Sequence, residues 1–334
     1  MPTKPTKPTK PTKPTKPTKP AIPAKPAIPA KQPAKKPATK PSAAGSSASG
    51  DRVAVRKTYK LYIGGAFPRS ESGRSYPVTD RSGAILAHAA QASRKDLRDA
   101  VVAARKAFDA WSGATAYNRG QVLYRIAEML EGRRDQFVAE IQAAEGGTED
   151  AARQQVDAAV DRWVWYAGWA DKYAQVVGGS NPVAGPYFNF SLPEPSGVIG
   201  VIAPQQSSLL GFVSVVAPAL TTGNTVVVIA SQDRPLPAVS LSEALATSDL
   251  PGGVLNLLTG SVAELAPWLA SHRDVNAIDL TGVEPAARIA LAQSAADTVK
   301  RVFAPLGFDS DAEPGTARLS AFIETKTVWH PIGV

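Results

Sequence analysis

Glu194 to Pro235, EPSGVIGVIAPQQSSLLGFVSVVAPALTTGNTVVVIASQDRP, is the stretch whose reading decides the fold. Val198, Ile199, Val201 and Ile202 form a short apolar run between Gly197 and Pro204, and Val226 to Ile229 form a second. Continuous runs of β-branched residues at this length are strands buried on both faces. Between them lies an apolar helix that Gly223 terminates, so the unit is β-α-β and its right-handed crossover makes the two strands parallel. In such a sheet ligands sit beyond the carboxyl ends of the strands. Pro204 to Leu209 and Ala230 to Arg234 are therefore the loops where chemistry is expected.

Outward from this unit, the alternation of short apolar runs and helical patterns continues toward the C-terminus. Helices are expected near 238–247, 262–270 and 285–296, and strands at 254–258, 277–280 and 300–304. Five strands separated by helices predict an α/β fold, a doubly wound parallel sheet of the Rossmann variety. A polar-apolar alternating strand, Pro186 to Leu192, precedes it, and a terminal β-strand is expected within 320–329. Upstream, Tyr59 to Ile63 and Phe67 to Arg69 flank Gly64-Gly65 as a small hairpin. Ser93, with Asp96 three residues on, has the spacing of a capping box that opens a helix. Further helices are expected at 118–131, 133–145 and 149–177, building a helical N-terminal cap. Trp163, Trp165, Tyr166 and Trp169 on the last of these read as packing surface.

Charge separates the chain into two kinds of segment. The 334 residues carry a formal net charge of +8, yet the first fifty contain eleven lysines and no Asp, Glu or Arg, so the remainder stands at −3. Residues 2–19 are six PTK repeats and 20–31 two copies of PAIPAK, a composition that buries no core and predicts a disordered, extended tail over 1–52. Lys4, Lys7, Lys10, Lys13, Lys16 and Lys19 within it are candidates for contact with an anionic polymer such as nucleic acid. Beyond the tail the expected organisation is a helical part over 53–185, a parallel α/β core over 186–308, and a linker with a terminal strand over 309–334. The chain has no cysteine, which excludes disulfides, cysteine-bound zinc and a thiolate nucleophile. No apolar run reaches membrane-spanning length and no signal segment follows the lysine-rich start, so a cytoplasmic location is expected.

The generic fingerprints G-x-G-x-x-G, Walker loop and G-x-S-x-G are absent, and His88, His272 and His330 have no partner at metal spacing. A set of collinear motifs remains: LYIGGAF from Leu61, EPSGVIGVIAP from Glu194, PAL-x-x-GNTVVV from Pro218, LPGGVLNLLTG from Leu250, ASHRDV from Ala270, LTG at Leu280 to Gly282, VKRV from Val299 and Leu306-Gly307. In this order they resemble the NAD(P)-dependent aldehyde dehydrogenases, and ESGRSYPV from Glu71 is similar to a double-domain branch of that family with a cysteine-less second copy. The resemblance implies the family's dinucleotide-binding fold with a small β oligomerisation module. It also implies an enzyme in which a cysteine attacks the aldehyde, a glutamate activates water and an asparagine amide steadies the oxyanion.

Matched residue by residue, those roles are not filled. The cysteine is missing, Pro305 stands where the resemblance puts the glutamate, and Gln206 stands for the asparagine. The cofactor contacts implied by the resemblance fall on Ala203, Pro204, Ile229, Gln232, Gly260, Thr281 and Gly282. Ile229 and Gln232 replace the ribose-binding lysine and glutamate, Val283 the phosphate-side serine and Ala287 a helix glycine, so NAD(P) is not expected, contacts to backbone groups being the one route left to it. Only fourteen residues separate Phe308 from Ile323, where the family carries its catalytic domain. Ile323 to Trp329 resembles the family's terminal oligomerisation strand. The expectation is a pseudoenzyme, a non-catalytic subunit that docks on a full-length aldehyde dehydrogenase through Tyr187, Phe188, Phe190, Thr327, Val328 and Trp329. The alternatives are an active NAD(P)-dependent oxidoreductase acting on aldehydes and an anionic-polymer binder working through the tail.

Overall fold

In the computed structural model, which describes residues 55–333, the two central apolar runs pair side by side and parallel, Val198 against Thr225 through Ile202 against Ile229. The elements follow in chain order: β1 (Thr58–Tyr59), β2 (Ser75–Thr79), β3 (Ile85–Ala90), α1 (Arg94–Gly113), α2 (Ala116–Glu131), α3 (Arg134–Glu145), α4 (Glu149–Trp169), α5 (Tyr173–Val177), β4 (Gly179–Asn181), β5 (Tyr187–Pro195), β6 (Val198–Ile202), α6 (Leu210–Thr221), β7 (Thr225–Ile229), α7 (Leu236–Leu245), β8 (Leu255–Leu258), α8 (Val262–Ser271), β9 (Ala277–Asp279), α9 (Pro285–Ala296), β10 (Arg301–Phe303), α10 (Ala317–Ser320) and β11 (Ile323–Pro331). Lys4, Lys7, Lys10, Lys13, Lys16 and Lys19, with everything expected of the tail, lie outside the described residues.

The central sheet has five parallel strands in the order β10-β9-β6-β7-β8, so the winding reverses between β6 and β9. Period-two alternation distributes its side chains between two core layers. Ile199, Val201, Val226, Val228, Leu255 and Leu257 pack with residues of α2, α3, α4, α6 and α7. Val198, Ile202, Val227, Ile229 and Leu258 pack on the other face with α1, α8 and α9. Each such aliphatic side chain contributes about 1.5–3 kcal/mol by leaving water, which is why these strands tolerate no polar alternation. The crossover helix α6 ends in a Schellman motif: Gly223, at φ +91°, donates to Leu220 O at 3.0 Å and Asn224 donates to Ala219 O at 3.1 Å.

Three local expectations change in the structure. The turn at Gly64-Gly65 forms, with Ile63 and Ala66 exchanging hydrogen bonds of 3.0 Å and the Leu61 N–H donating to Pro68 O at 3.1 Å, but the hairpin extends no further. Tyr62 instead bonds Leu257 in both directions, at 3.0 and 2.7 Å, and shields the edge of β8. Thr58–Tyr59 pairs with β3, and β2 and β3 form a strand pair that Pro77 and the alanines of ILAHAA disguise in the sequence. The long helix expected over 149–177 breaks after Trp169, where the Lys172 ammonium caps the Gly168 carbonyl and Tyr173 turns inward to 5% exposure. The capping box at Ser93 is present as the sequence predicts, with Asp96 returning a bond to the Ser93 N–H at 2.8 Å. Trp163 and Tyr166 are core residues.

A second sheet, β11-β5-β4, is antiparallel. β5 and β11 pair along their full length, Tyr187 opposite Pro331 through Pro195 opposite Ile323. Between β10 and β11 the chain forms a strap, residues 304–322, across the carboxyl end of the parallel sheet. Phe322 is fully buried and its carbonyl accepts from Asn224 Nδ2 at 2.9 Å, so the strap's far end is pinned beside the Schellman turn.

Candidate functional site

At the winding reversal the loops after β6 and β9 meet. The Gly282 N–H donates to Ile202 O at 2.9 Å, and a Cβ on Gly282 would stand 1.8 Å from Ala203 O, so only glycine permits the approach. The crevice beside this contact has a volume of about 380 Å³, and Pro204, Gln206, Thr281, Gly282, Glu284 and Leu306 are among its walls. Five of the sequence-identified positions thus come together: Pro204, Gln206, Thr281, Gly282 and Val283. Ala203 is buried just beneath them, and the carbonyl of Pro305 accepts from Arg288 Nη1 at 2.6 Å.

The remaining positions lie elsewhere. Ile229 points into the core layer of α1 and α8, because alternation along β7 sends Val226 and Val228 to one face and Val227 and Ile229 to the other. Gly260, at φ +134°, abuts Gln91 and Ala92 beyond β8. Gln232 sits at the rim, where its N–H donates to Gln205 Oε1 at 2.9 Å and its Oε1 accepts from Val262 N–H at 3.3 Å. Its carbonyl accepts from Tyr76 Oη at 3.0 Å, and burial pushes that phenol's pKa up.

Polar groups around the crevice bond one another. Gln206 Oε1 accepts from Arg234 Nη1 at 2.9 Å, and Gln205 Nε2 donates to Ala203 O at 2.9 Å. Ser207 is held at φ +56°, a strained conformation for a residue with a Cβ, while Ser208 donates both its N–H and its hydroxyl to Glu145 Oε1 at 2.6 Å each. Helix α9 starts at the crevice with Glu284 as its N-cap and Pro285 in its first turn. A carboxylate at that position and a residue without an N–H both oppose the anion affinity of a helix N-terminus. The Arg288 guanidinium is committed to three carbonyls, Val283 at 2.8 Å, Pro305 at 2.6 Å and Thr281 at 3.4 Å.

Beneath Thr281 lies a charged cluster that sequence reading passes over. The Asp279 carboxylate is fully buried, and Arg318 from the strap donates to its Oδ2 at 2.7 Å and to Thr281 Oγ1 at 3.1 Å. Thr281 in turn donates its N–H to Asp279 Oδ1 at 2.8 Å. Burial pushes the Asp279 pKa up, and the Arg318 guanidinium opposes that rise. Arg162 of α4 holds the same strap through Ser310 O at 2.7 Å and Ala312 O at 2.6 Å. A signal for both anchors exists in the sequence: Asp279 interrupts an apolar strand, and Arg162 sits on the apolar stripe of α4 beside Ala159, Trp163 and Tyr166. Among the described residues no group of three His, Cys, Asp or Glu side chains is placed to hold a metal, and no helix is long and apolar enough to cross a membrane.

Residues 67–312 match the model of the aldehyde dehydrogenase family. The mitochondrial benzaldehyde dehydrogenase of Antirrhinum majus is 37% identical over 253 residues, an overlap covering 74% of this chain and 47% of the relative. Among solved structures, HpcC from Thermus thermophilus superposes with a TM-score of 0.72 at 32% identity, over 75% of this chain and 48% of that one. The NAD+ complex of an aldehyde dehydrogenase from Bacillus cereus superposes with a TM-score of 0.71 at 25% identity, over 74% and 50%. The chain therefore spans about half the length of the proteins it matches. With its parallel sheet, its glycine contact at the winding reversal and its collinear motifs all accounted for, this chain belongs to the aldehyde dehydrogenase family.

Proposed function

We propose that this chain is a non-catalytic member of its family that works as a partner of a complete aldehyde dehydrogenase. The observation that carries the reading is Pro305. Its backbone carbonyl is bound by Arg288 and its side chain has no group that takes a proton, at the position where the family's general base belongs. No thiol exists anywhere in the 334 residues to act as nucleophile. Dinucleotide binding is disfavoured on the same footing, since Ile229 is buried in the core, Glu284 and Pro285 head the adjacent helix, and Arg288 is spent on carbonyls. The crevice residues therefore do not fit NAD(P).

The docking surface is the β11-β5-β4 sheet. Tyr187, Phe188 and Trp329 are 42%, 49% and 58% exposed, with Phe190, Thr327 and Val328 beside them, and β11 pairs on one side only among the described residues. A nine-residue edge strand flanked by exposed aromatics pairs with another sheet edge, and a complete relative supplies one. Co-expression with a full-length aldehyde dehydrogenase followed by native mass spectrometry tests this. A mixed complex is expected, and Trp329→Ser is expected to abolish it while leaving this chain's own stability within about 0.5 kcal/mol. Separate species at every ratio would sink the partnership, and NADH formation from an aldehyde by the purified chain alone would sink the non-catalytic reading.

A further inference from the structure

On the opposite side of the strap from the crevice lies a second cavity of about 240 Å³. Arg162, Tyr166, Phe303, Phe308, Pro314 and Arg318 contribute to its wall. Its charges are unevenly matched. Arg318 is neutralised by Asp279, but Arg162, only 6% exposed, finds neutral partners alone: Ser214 Oγ and the carbonyls of Ser310 and Ala312. Its Nε is buried without a partner. The Tyr166 hydroxyl, on a side chain 2% exposed, lies within reach of the charges of both Arg318 and Arg162. Buried charges in folded proteins are paired, because an unmatched one carries its whole desolvation cost. The nearby carboxylates do not supply the match. Asp309, Asp311 and Glu313 are solvent-exposed, where water and salt screen them, and Asp309 Oδ1 accepts from the Asp311 N–H at 2.9 Å.

We infer that this cavity binds a small carboxylate with a compact apolar body, its anionic end beside Arg162 and the Tyr166 hydroxyl and its apolar end against Phe303, Phe308 and Pro314. The guanidinium and the phenol supply donors that suit a planar carboxylate. The walls contributed by Phe303, Phe308, Pro305 and Pro314 leave a hydrated inorganic oxyanion without partners on its far side. The site is separated from the crevice by residues 307–309, which line both cavities, and it stands whether or not the chain has a catalytic partner.

Butyrate is a suitable probe, titrated into the full chain by calorimetry and thermal unfolding, with butyramide and sodium sulfate at matched ionic strength as comparisons. Saturable binding of butyrate alone is expected, with Tm raised by about 5 °C at a hundredfold excess over Kd. Tyr166→Phe, which keeps the ring and its packing, is expected to weaken binding about tenfold, and Arg162→Met to abolish it. The inference is overturned if butyramide or sulfate shifts Tm as far as butyrate does, or if Tyr166→Phe binds butyrate as tightly as the unaltered chain.

Discussion

Arg318→Gln isolates the interaction that fastens the strap to the sheet. Asp279 is completely buried and Arg318 is 14% exposed at its side chain, so the substitution strands a carboxylate in the core with only Thr281 for company. Breaking a buried pair in this way costs about 3–5 kcal/mol. Protonation sets the ceiling. Neutralising a carboxyl of ordinary pKa, about 3.9, costs about 1.4 kcal/mol for each pH unit above it, so about 4 kcal/mol at pH 7 and about 1.5 kcal/mol at pH 5. With Arg318 gone, only the hydrogen bonds from Thr281 still oppose burial at Asp279, and its folded-state pKa rises further above the unfolded value. A carboxyl raised on folding holds a proton in the folded chain that the unfolded chain has released, so stability falls as pH rises through that window. The variant is therefore expected to lose about 3–4 kcal/mol at pH 7, about 10 °C in Tm, and about half of that at pH 5. Urea unfolding at the two pH values measures both. Adding Asp279→Asn to Arg318→Gln removes the stranded charge and is expected to return stability to within about 1 kcal/mol of the parent. A loss below about 1 kcal/mol at pH 7, or one that does not change between pH 7 and pH 5, refutes the reasoning.

Two other substitutions probe the scaffold around the strap. Gly282→Ala places a methyl group 1.8 Å from Ala203 O, forcing the loops after β6 and β9 apart, and is expected to cost about 3 kcal/mol or more, whereas Gly307→Ala meets nothing within 4 Å and is expected to stay within about 0.5 kcal/mol; thermal unfolding of the two side by side checks the contrast. Glu140 is pushed to a raised pKa by burial, its Oε1 accepting from Gln136 and Ser240 while its Oε2 is buried without a partner, and Lys57, Tyr59 and Glu243 are the other ionisable groups that face it. Because the folded-state value is raised, the native chain loses stability as pH rises past the ordinary glutamate range; Glu140→Gln is expected to gain about 1 kcal/mol at pH 8 and nothing at pH 4, read from urea midpoints.

The parallel sheet was legible because its determinants are local and repeated. The central strands β6 and β7 are rich in valine and isoleucine, each helix that follows has its own start and stop, and burial on both faces demands the apolar runs that a reader sees. The β2–β3 pair was not, since Pro77 and three alanines carry little strand preference and the pairing is set by packing against Leu236 and Tyr59. Motif order singles out Pro204, Gln206, Thr281 and Gly282, and the structure places the four around one crevice. Their engagement was not visible: that Gln206 is tied to Arg234, or Arg288 to the carbonyl of Pro305, depends on contacts 28 and 17 residues apart that no spacing encodes. Asp279 with Arg318 is the clearest case. Each looks anomalous alone, and only the fold shows that they answer one another across 39 residues.

That pairing also explains how the strap closes the sheet. Strand alternation keeps the residues that define the fold, such as Val201, Val228 and Ile278, apart from the exposed loop residues that would carry chemistry, so positions such as Gln206 and Leu306 can change at little cost to the core. Closing the carboxyl end is different, because a charge must be introduced on each side. Asp279 without Arg318 is a penalty of several kcal/mol, and Arg318 without Asp279 is a guanidinium with little but the rings of Phe303 and Phe308 to face, at 4.8 and 5.2 Å from their centroids. Both together position Phe322 in the core and deliver the chain, in register, to β11. The strap's ion pair therefore acts at a distance on the aromatic sheet: it fixes where Ile323 begins, and a one-residue slip there would exchange Trp329 and Val328 between the two faces of β11.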